Sequence, residues 1–373
     1  MNLSDERVCS IALTQVPGIG RVWAKRLVSG IGSAADVFRL RAELPERLPG
    51  VNPRIADLLD SPQAFARAEQ EVAFMEKNRI RCLTLADEEY PSRLRDCDDA
   101  PIVLFYKGAA RFNVPRVLNM VGTRHATDYG KELCATFLRD LKALCPDVLV
   151  VSGLAYGIDI HAHRASLVNH LPTVGVLAHG LDRIYPSVHR QTAVDMLEQG
   201  GLLTEFLTET NPDKHNFIAR NRIVAGLADA TIVIESAAKG GSLITADIAG
   251  GYHRDCFAFP GRTGDPYSAG CNRLIRDNKA SLLLSADDFV QAMNWSPSAK
   301  PAVAEPLQRN LFFPDLSAEE QDILRILSER GDQQINALIV ATNISVHRMN
   351  ALLFELEMKG LIRLLAGGMY RLL

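Results

Sequence analysis

Between Val117 and about Leu284, short β-branched and apolar runs alternate with stretches of helical periodicity: VLNMV, VLVVS, TVGVLA, GLLTEF, ATIVIE, CFAFP and SLLL. Runs of this length separated by helical segments predict a Rossmann-like, doubly wound α/β sheet. Nearly every run ends in glycine or a polar turn. Gly122, Gly153, Gly180, Glu235 and Gly261 fall where the carboxyl end of a strand hands over to a helix, the edge along which such sheets bind ligands.

The segment ahead of these runs has a different pattern. TQVPGIGRVWAKRLVSGIG, residues 14 to 32, sets a Pro-Gly-x-Gly turn between two apolar helical stretches and predicts a helix-hairpin-helix of SAM-like type. LPGVNPRIADLL, residues 48 to 59, is a weaker second copy. Such a turn can aim backbone N–H groups at a phosphate, and Arg21, Lys25 and Arg26 follow with no acidic residue between 14 and 32. A turn that merely connects two helices explains the pattern equally well.

Beyond Trp295, SPSAKPAVAEP reads as a linker, and residues 317 to 373 give three helical patterns followed by two short strands about a Gly-Gly turn. That order predicts a winged helix-turn-helix. Its presumed recognition helix, Ser345 to Lys359, sets Arg348 and Lys359 against Glu355 and Glu357, which favours contact with protein over DNA. The expected boundaries are 1–80 for the helix-hairpin-helix domain, 81–295 for the Rossmann-like core, 296–316 for the linker and 317–373 for the winged helix.

Composition narrows the function classes. The 373 residues are 47% hydrophobic and 23% charged, with a formal net charge of -3, as expected of a soluble chain of two or three domains. The longest apolar runs fall well short of the roughly 20 residues that cross a bilayer, and Met1 to Ser10 has no signal-peptide pattern. A cytoplasmic protein without a membrane partner is therefore expected. Seven scattered cysteines without a C-x-x-C argue against a disulfide framework or a structural zinc site. Near-neutral charge excludes coating of nucleic acid by bulk electrostatics, so any polyanion must be held by a local basic site.

One such site is KHNFIARNR, residues 214 to 222, which holds Lys214, Arg220 and Arg222 and no acidic residue. A second is KGGSLITA, residues 239 to 246, a glycine-rich loop opening a helix. There Gly240 and Gly241 let the backbone approach an anion, and Ser242 and Thr245 can donate. Catalytic templates are missing: there is no G-x-G-x-x-G, G-x-x-x-x-G-K-[ST], G-x-S-x-G or H-E-x-x-H. In DIHAH, a helix aligns only Asp159 with His163, so a capping Asp and a packed His outweigh metal ligation.

MVGTRHATDYG (120–130), VSGLAYGIDIHAH (151–163), GLDRIYP (180–186), FIARNRIVAGL (217–227), GGSLITA and FPGRTGDPYSAGCNRLI (259–275) together resemble the DNA processing protein A family, DprA or Smf. The resemblance covers the whole α/β core, and the family often adds the two flanking domains. It implies a protein without catalysis or cofactor that binds single-stranded DNA during natural transformation, protects it and loads RecA recombinase, typically as a homodimer. By the family pattern, Arg124 of the turn Gly122-Thr123-Arg124 and Lys214 are DNA contacts, joined by Arg220, Asn221 and Arg222. Gly240, Gly241 and Ser242 can offer N–H groups to a phosphate. For base stacking the candidates are Tyr185 first, then Tyr156 and Phe217, the last more often buried.

Three positions depart from the family pattern. Ser187 stands where a basic residue commonly follows Y-P, and Arg183 or Arg190 is the expected substitute. His189 replaces an asparagine, and Asn278-Lys279-Ala280 replaces a Gly-Ala near the region where dimers form. A competing reading is a nucleotide-processing Rossmann-like enzyme that releases a base from nucleoside monophosphates. Such enzymes resemble P-G-G-x-G-T-x-x-E, whereas GGSLITADIAGG offers only Asp247 at a different spacing. A sequence-specific transcription factor is the third reading; it would bind duplex through residues 317–373 alone.

Overall fold

The computed structural model describes residues 3–52, 54–295, 316–365 and 368–373. They form two units, Met1–Ser285 and Ala286–Leu373. The expected linker, apart from residue 316, lies outside the described residues.

The first unit opens with α1 (Glu6–Gln15), α2 (Arg21–Ile31), α3 (Ala34–Arg39), α4 (Leu44–Arg47), α5 (Arg54–Leu58) and α6 (Pro62–Asn78). Capping residues set the starts: Asp5, Ser33 and Ser61 accept from the first turns of α1, α3 and α6. The Pro-Gly turn between α1 and α2 takes Gly18 to a φ of 86°, which a side chain would strain. Leu13, Leu27 and the edge-packed pair Phe38 and Phe65 share one core with Ile102, Val103 and Phe105 of the following segment. The helices therefore continue into the sheet region across residue 80.

The sheet has nine strands: β1 (Arg81–Thr84), β2 (Val103–Gly108), β3 (Val117–Val121), β4 (Leu149–Ser152), β5 (Thr173–Val176), β6 (Gly201–Thr204), β7 (Ala230–Val233), β8 (Asp255–Ala258) and β9 (Ser281–Leu282). Their order is β1-β2-β6-β5-β4-β3-β7-β8-β9. All seven apolar runs became strands. From β6 through β9 neighbours pair in parallel, and every residue of β3 to β7 is buried, as in a sheet covered on both faces. β1 and β2, absent from the sequence reading, add antiparallel to the free side of β6.

Short α7 (Ser92–Arg95) lies between β1 and β2. The crossovers are α8 (Asp128–Leu144), α9 (Ile158–Val168), α10 (Arg190–Gln199, after a 3-10 turn at Ser187–His189), α11 (Lys214–Gly226) and α12 (Gly241–Gly251), followed by α13 (Ala269–Arg276). Right-handed crossovers put α8, α9 and α10 on one face. The chain then returns from β6 to β7, so α11 and α12 cover the other face, packed on each other. The switch point falls between β3 and β7, whose exits lead to opposite faces.

The second unit holds α14 (Ala286–Ala292), α15 (Ala318–Arg330), β10 (Gln333–Gln334), α16 (Ile335–Thr342), α17 (Val346–Met358), β11 (Ile362–Leu365) and β12 (Met369–Leu372). A capping box of Ser317 and Glu320 starts α15, and the sheet order is β10-β12-β11. This is the expected winged helix. Arg348 pairs with Glu319 and Lys359 with Glu320, so both cations of the presumed recognition helix are tied within their own fold. Among the described residues no single helix is long and apolar enough to cross a membrane.

Inside the first unit one carboxylate joins three segments. Glu205 Oε2, just past β6, accepts from Arg222 on α11 and from Arg21 Nε at 3.1 Å, at the start of α2. The side chains of Glu205 and Arg222 are both 7% exposed. Removing one partner of a buried pair strands the other charge, so Glu205→Ala is expected to lower stability by about 3–5 kcal/mol in equilibrium urea unfolding.

Candidate nucleic-acid interface

The carboxyl ends of the parallel strands assemble most of the expected residues, and the backbone there is sterically fixed. Gly122 follows β3 and Gly157 opens α9. Thr123 N donates to Glu235 O at 2.8 Å, beyond β7, and Ile158 N donates to Thr123 O at 3.1 Å. A Cβ on Gly122 would lie 2.4 Å from Ile158 Cγ1, and one on Gly157 would lie 2.0 Å from Thr123 O, at a φ of 75° that already favours glycine. Arg124, next in the chain, is thereby held at the surface over the Phe217 ring, its guanidinium carbon 4.9 Å from the ring centre.

Phe217 is half-buried on α11, and its ring is the meeting place of the site. Tyr185, 45% exposed, tilts against it at 6.0 Å, and the Arg220 guanidinium lies 5.8 Å from its centre on the way into the core. Lys214 is exposed one turn earlier on the same helix, which Asp213 caps through Asn216 N. Among the described residues neither Arg124 nor Lys214 makes an ion pair. Two unpaired cations and two accessible rings thus share one sheet edge, the arrangement that tracks a flexible polyanion with stackable bases.

Other expected contacts are placed differently. Arg220 is 3% exposed; its Nη1 donates to Val176 O and, at 2.5 Å, to Gly153 O, bridging the ends of β5 and β4. Burial pulls its pKa down to about 10, offset in part by Asp159, whose own carboxyl is pushed up by burial. Arg222 is buried on Glu205 and Asp99 O. Both arginines are therefore internal fasteners rather than exposed cations. Asn221 between them is half-buried. Gly241 is exposed, while Ser242 is buried with its Oγ donating to Ser236 Oγ at 2.9 Å, so only its backbone remains for an anion.

Arg183 is held by Asp182 at 2.9 Å and by Asn211, whereas Arg190 is exposed and unpaired among the described residues. Of the two substitutes for the cation missing at Ser187, Arg190 is the one left available. His189 packs instead of reaching outward: its Nδ1 donates to Leu154 O at 2.9 Å and Tyr156 abuts its ring. Asn278 takes a left-handed φ of 53° at the end of α13, as the expected glycine would. The loop carrying Tyr185 is braced from below by buried His179, whose Nδ1 donates to Gly180 O while its Nε2 accepts from Tyr185 N.

The helix-hairpin-helix cations are engaged internally. Arg21 is on Glu205, Lys25 Nζ donates to Arg95 O and Cys97 O, and Arg26 donates to Pro49 O while lying over Trp23. In DIHAH, His163 is a packed core histidine: Thr173 Oγ1 donates to Val150 O, so it accepts from His163 Nδ1 at 2.7 Å. Among the described residues no group of three His, Cys, Asp or Glu is placed to hold a metal ion. Two exposed cations were overlooked in the sequence, Lys239 in the glycine-rich loop and Arg262 after β8, although both lie inside the motifs quoted above.

A doubly wound sheet with a cation-lined switch-point edge, followed by a winged helix, defines a Rossmann-like α/β protein with a cationic rim. The family model for DNA recombination-mediator protein A matches residues 81–294, and that for the DprA winged helix domain matches 304–368. The chain belongs to the DNA processing protein A family, which acts in DNA processing and recombination. Protein Smf of Escherichia coli (strain K12) is 32% identical over 315 residues, 82% of this chain and 80% of the relative. DNA processing protein DprA of Bacillus subtilis (strain 168) is 36% identical over 232 residues, covering 62% and 77% respectively. The solved structure of DprA from Streptococcus pneumoniae superposes with a TM-score of 0.61 at 31% identity, covering 76% of this chain and 97% of its own. That of DprA from Helicobacter pylori, described for its single-stranded DNA binding mode, gives 0.52 at 28%, covering 58% and 96%.

Two measurements test this geometry. Gly157→Ala is expected to destabilise the protein by about 2 kcal/mol or more, read from the urea midpoint, because it combines a forbidden φ with a backbone clash. Burial pushes His163 down from 6.5 to about 3. The unfolded chain takes up that proton near 6.5 and the folded chain does not until about 3, so stability falls as pH drops through this window. His163→Gln should flatten the slope of unfolding free energy against pH between those limits.

Proposed function

We propose that this protein binds single-stranded DNA along the carboxyl edge of β3, β4, β5 and β7, with Arg124 and Lys214 on the phosphates and Tyr185 and Phe217 stacking bases. The observation that carries the reading is the Phe217 ring with unpaired Arg124 above it, exposed Tyr185 beside it and Lys214 one helical turn away. Cations alone would suit any polyanion; rings interleaved with them favour unpaired bases over a duplex. Gly122, Thr123, Gly240, Gly241 and Ser242 line the same switch point; Thr123 N and Gly240 N are held by Glu235 O and Ala237 O, so the backbone N–H groups of Gly241 and Ser242 are the ones offered to a phosphate, and Arg190 extends the cationic edge. Membership of the family and the single-stranded DNA binding mode described for the Helicobacter pylori protein support the same ligand. Protection of incoming DNA, loading of RecA recombinase and action as a homodimer in the cytoplasm complete the proposal, and these rest on the family alone.

Fluorescent oligo-dT and a matched duplex, titrated over a range of salt, test the reading. The wild type is expected to prefer the single strand. Arg124→Ala/Lys214→Ala should weaken that binding and reduce the slope of log affinity against log salt by about one to two. Undiminished binding by the double variant would move the DNA elsewhere, and failure of the wild type to bind would favour the base-releasing nucleotide enzyme, to be assayed directly.

A further inference from the structure

Across the switch point from Arg124 the same sheet edge continues into a cleft of about 580 Å³ lined by Tyr129, Pro260, Gly261, Arg262, Asp265 and Ser268. Its walls are pre-formed. Gly261 and Asn272 exchange two hydrogen bonds, N to Oδ1 at 3.1 Å and Nδ2 to O at 3.0 Å. Asp265 is turned into its own loop, accepting from Tyr267 N at 3.0 Å and Ser268 Oγ at 3.1 Å, so its charge is engaged by the protein. Tyr129 is 45% exposed with its hydroxyl donating to Pro260 O, which leaves the ring face as the open surface.

The cleft is joined to the Arg124 edge by contacts. His125, next to Arg124, faces the Tyr267 ring at 6.4 Å. Ser236 N donates to Tyr267 O and Gly270 N to Ser236 O, both at 2.8 Å, stitching the loop after β7 to the loop after β8. Exposed Lys239 and Arg262 make no ion pair among the described residues, whereas exposed Arg81, Arg139, Arg183 and Arg276 are each paired with a carboxylate. Unpaired cations, an open tyrosine face and a histidine–tyrosine pair repeat, beyond the switch point, the chemistry found around Phe217.

We infer that this cleft is a second nucleotide subsite, in which Tyr129 stacks a base and Arg262 holds a phosphate, so that a strand lying on Arg124 continues past His125 and Lys239 into it. The inference rests on the single-strand reading above and extends its footprint. No bond is made or broken there. The subsite takes an unpaired nucleotide of the same strand because its cations are single, spaced side chains and its stacking surface is one ring.

The test compares oligo-dT of about 4 and about 16 nucleotides, the limits that comparable single-strand sites span. Their affinities are measured for the wild type, Arg124→Ala, Arg262→Ala and Tyr129→Ala/Arg262→Ala, with thermal melts to confirm folding. Tyr129→Ala/Arg262→Ala is expected to bind the longer strand about five- to thirty-fold more weakly, the equivalent of one to two kcal/mol, while its affinity for the shorter strand is unchanged. Arg262→Ala alone, at an exposed position, should lose part of this with no change in melting. Equal binding of the longer strand by variant and wild type, or equal weakening at both lengths, overturns the second subsite; an Arg124→Ala loss at both lengths then leaves the first intact. A wild type that binds neither strand overturns both.

Discussion

Everything at the rim depends on a cation buried beneath it. The Arg220 guanidinium crosses the ends of β4 and β5, donating to Gly153 O and Val176 O. Burying a charge is costly unless it is hydrogen-bonded and compensated. Two strand-end carbonyls, the Phe217 ring and the nearby Asp159 carboxylate supply that compensation. Gly153 is the spacer that lets them approach, since a Cβ there would stand 2.4 Å from Arg220 Nη1 and 2.5 Å from Asp159 Oδ2. Arg220 is carried by α11, so fastening it fixes that helix against the strand ends. Lys214 and Phe217, on the same helix, are set as a result.

The opposite face of α11 is fastened by Arg222, whose carboxylate partner also receives Arg21 from α2. One helix thus carries the groups of the rim at its start and two internal anchors further along. The sequence FIARNR holds both internal arginines within a few positions, and only the helical phase separates them from the groups that face solvent. Likewise the cations of the helix-hairpin-helix turn are engaged within the chain, on carbonyls and Glu205, although Arg21 and Arg26 remain exposed.

Legibility from sequence followed the range of the interactions. The seven core strands were readable because each is a short apolar run bounded by turns, and their glycine-marked ends mark the carboxyl edge that carries the proposed site. β1 and β2 were missed because RCLT is only half apolar and IVLFYKG stands apart from the alternating series; antiparallel addition across many residues leaves no local signature. The motif arginines were readable as important but not as buried. An arginine that meets backbone carbonyls contacts atoms every residue possesses, so nothing in the neighbouring sequence announces the partner. Arg262 was overlooked for the converse reason: its setting is the space between two loops.

The inward turning of so many arginines has a consequence for grip. With Arg220 and Arg222 inside and Arg183 paired with Asp182, the rim presents single, spaced cations rather than a dense cluster, and in the proposed complex each exposed contact contributes modestly. A rim built this way can release and re-engage a strand quickly. On the proposed reading, durable hold on a long strand comes from avidity, several copies engaging neighbouring stretches so that each raises the effective concentration of the next. The economy of surface charge that keeps one copy from clinging to every polyanion therefore makes retention a matter of number.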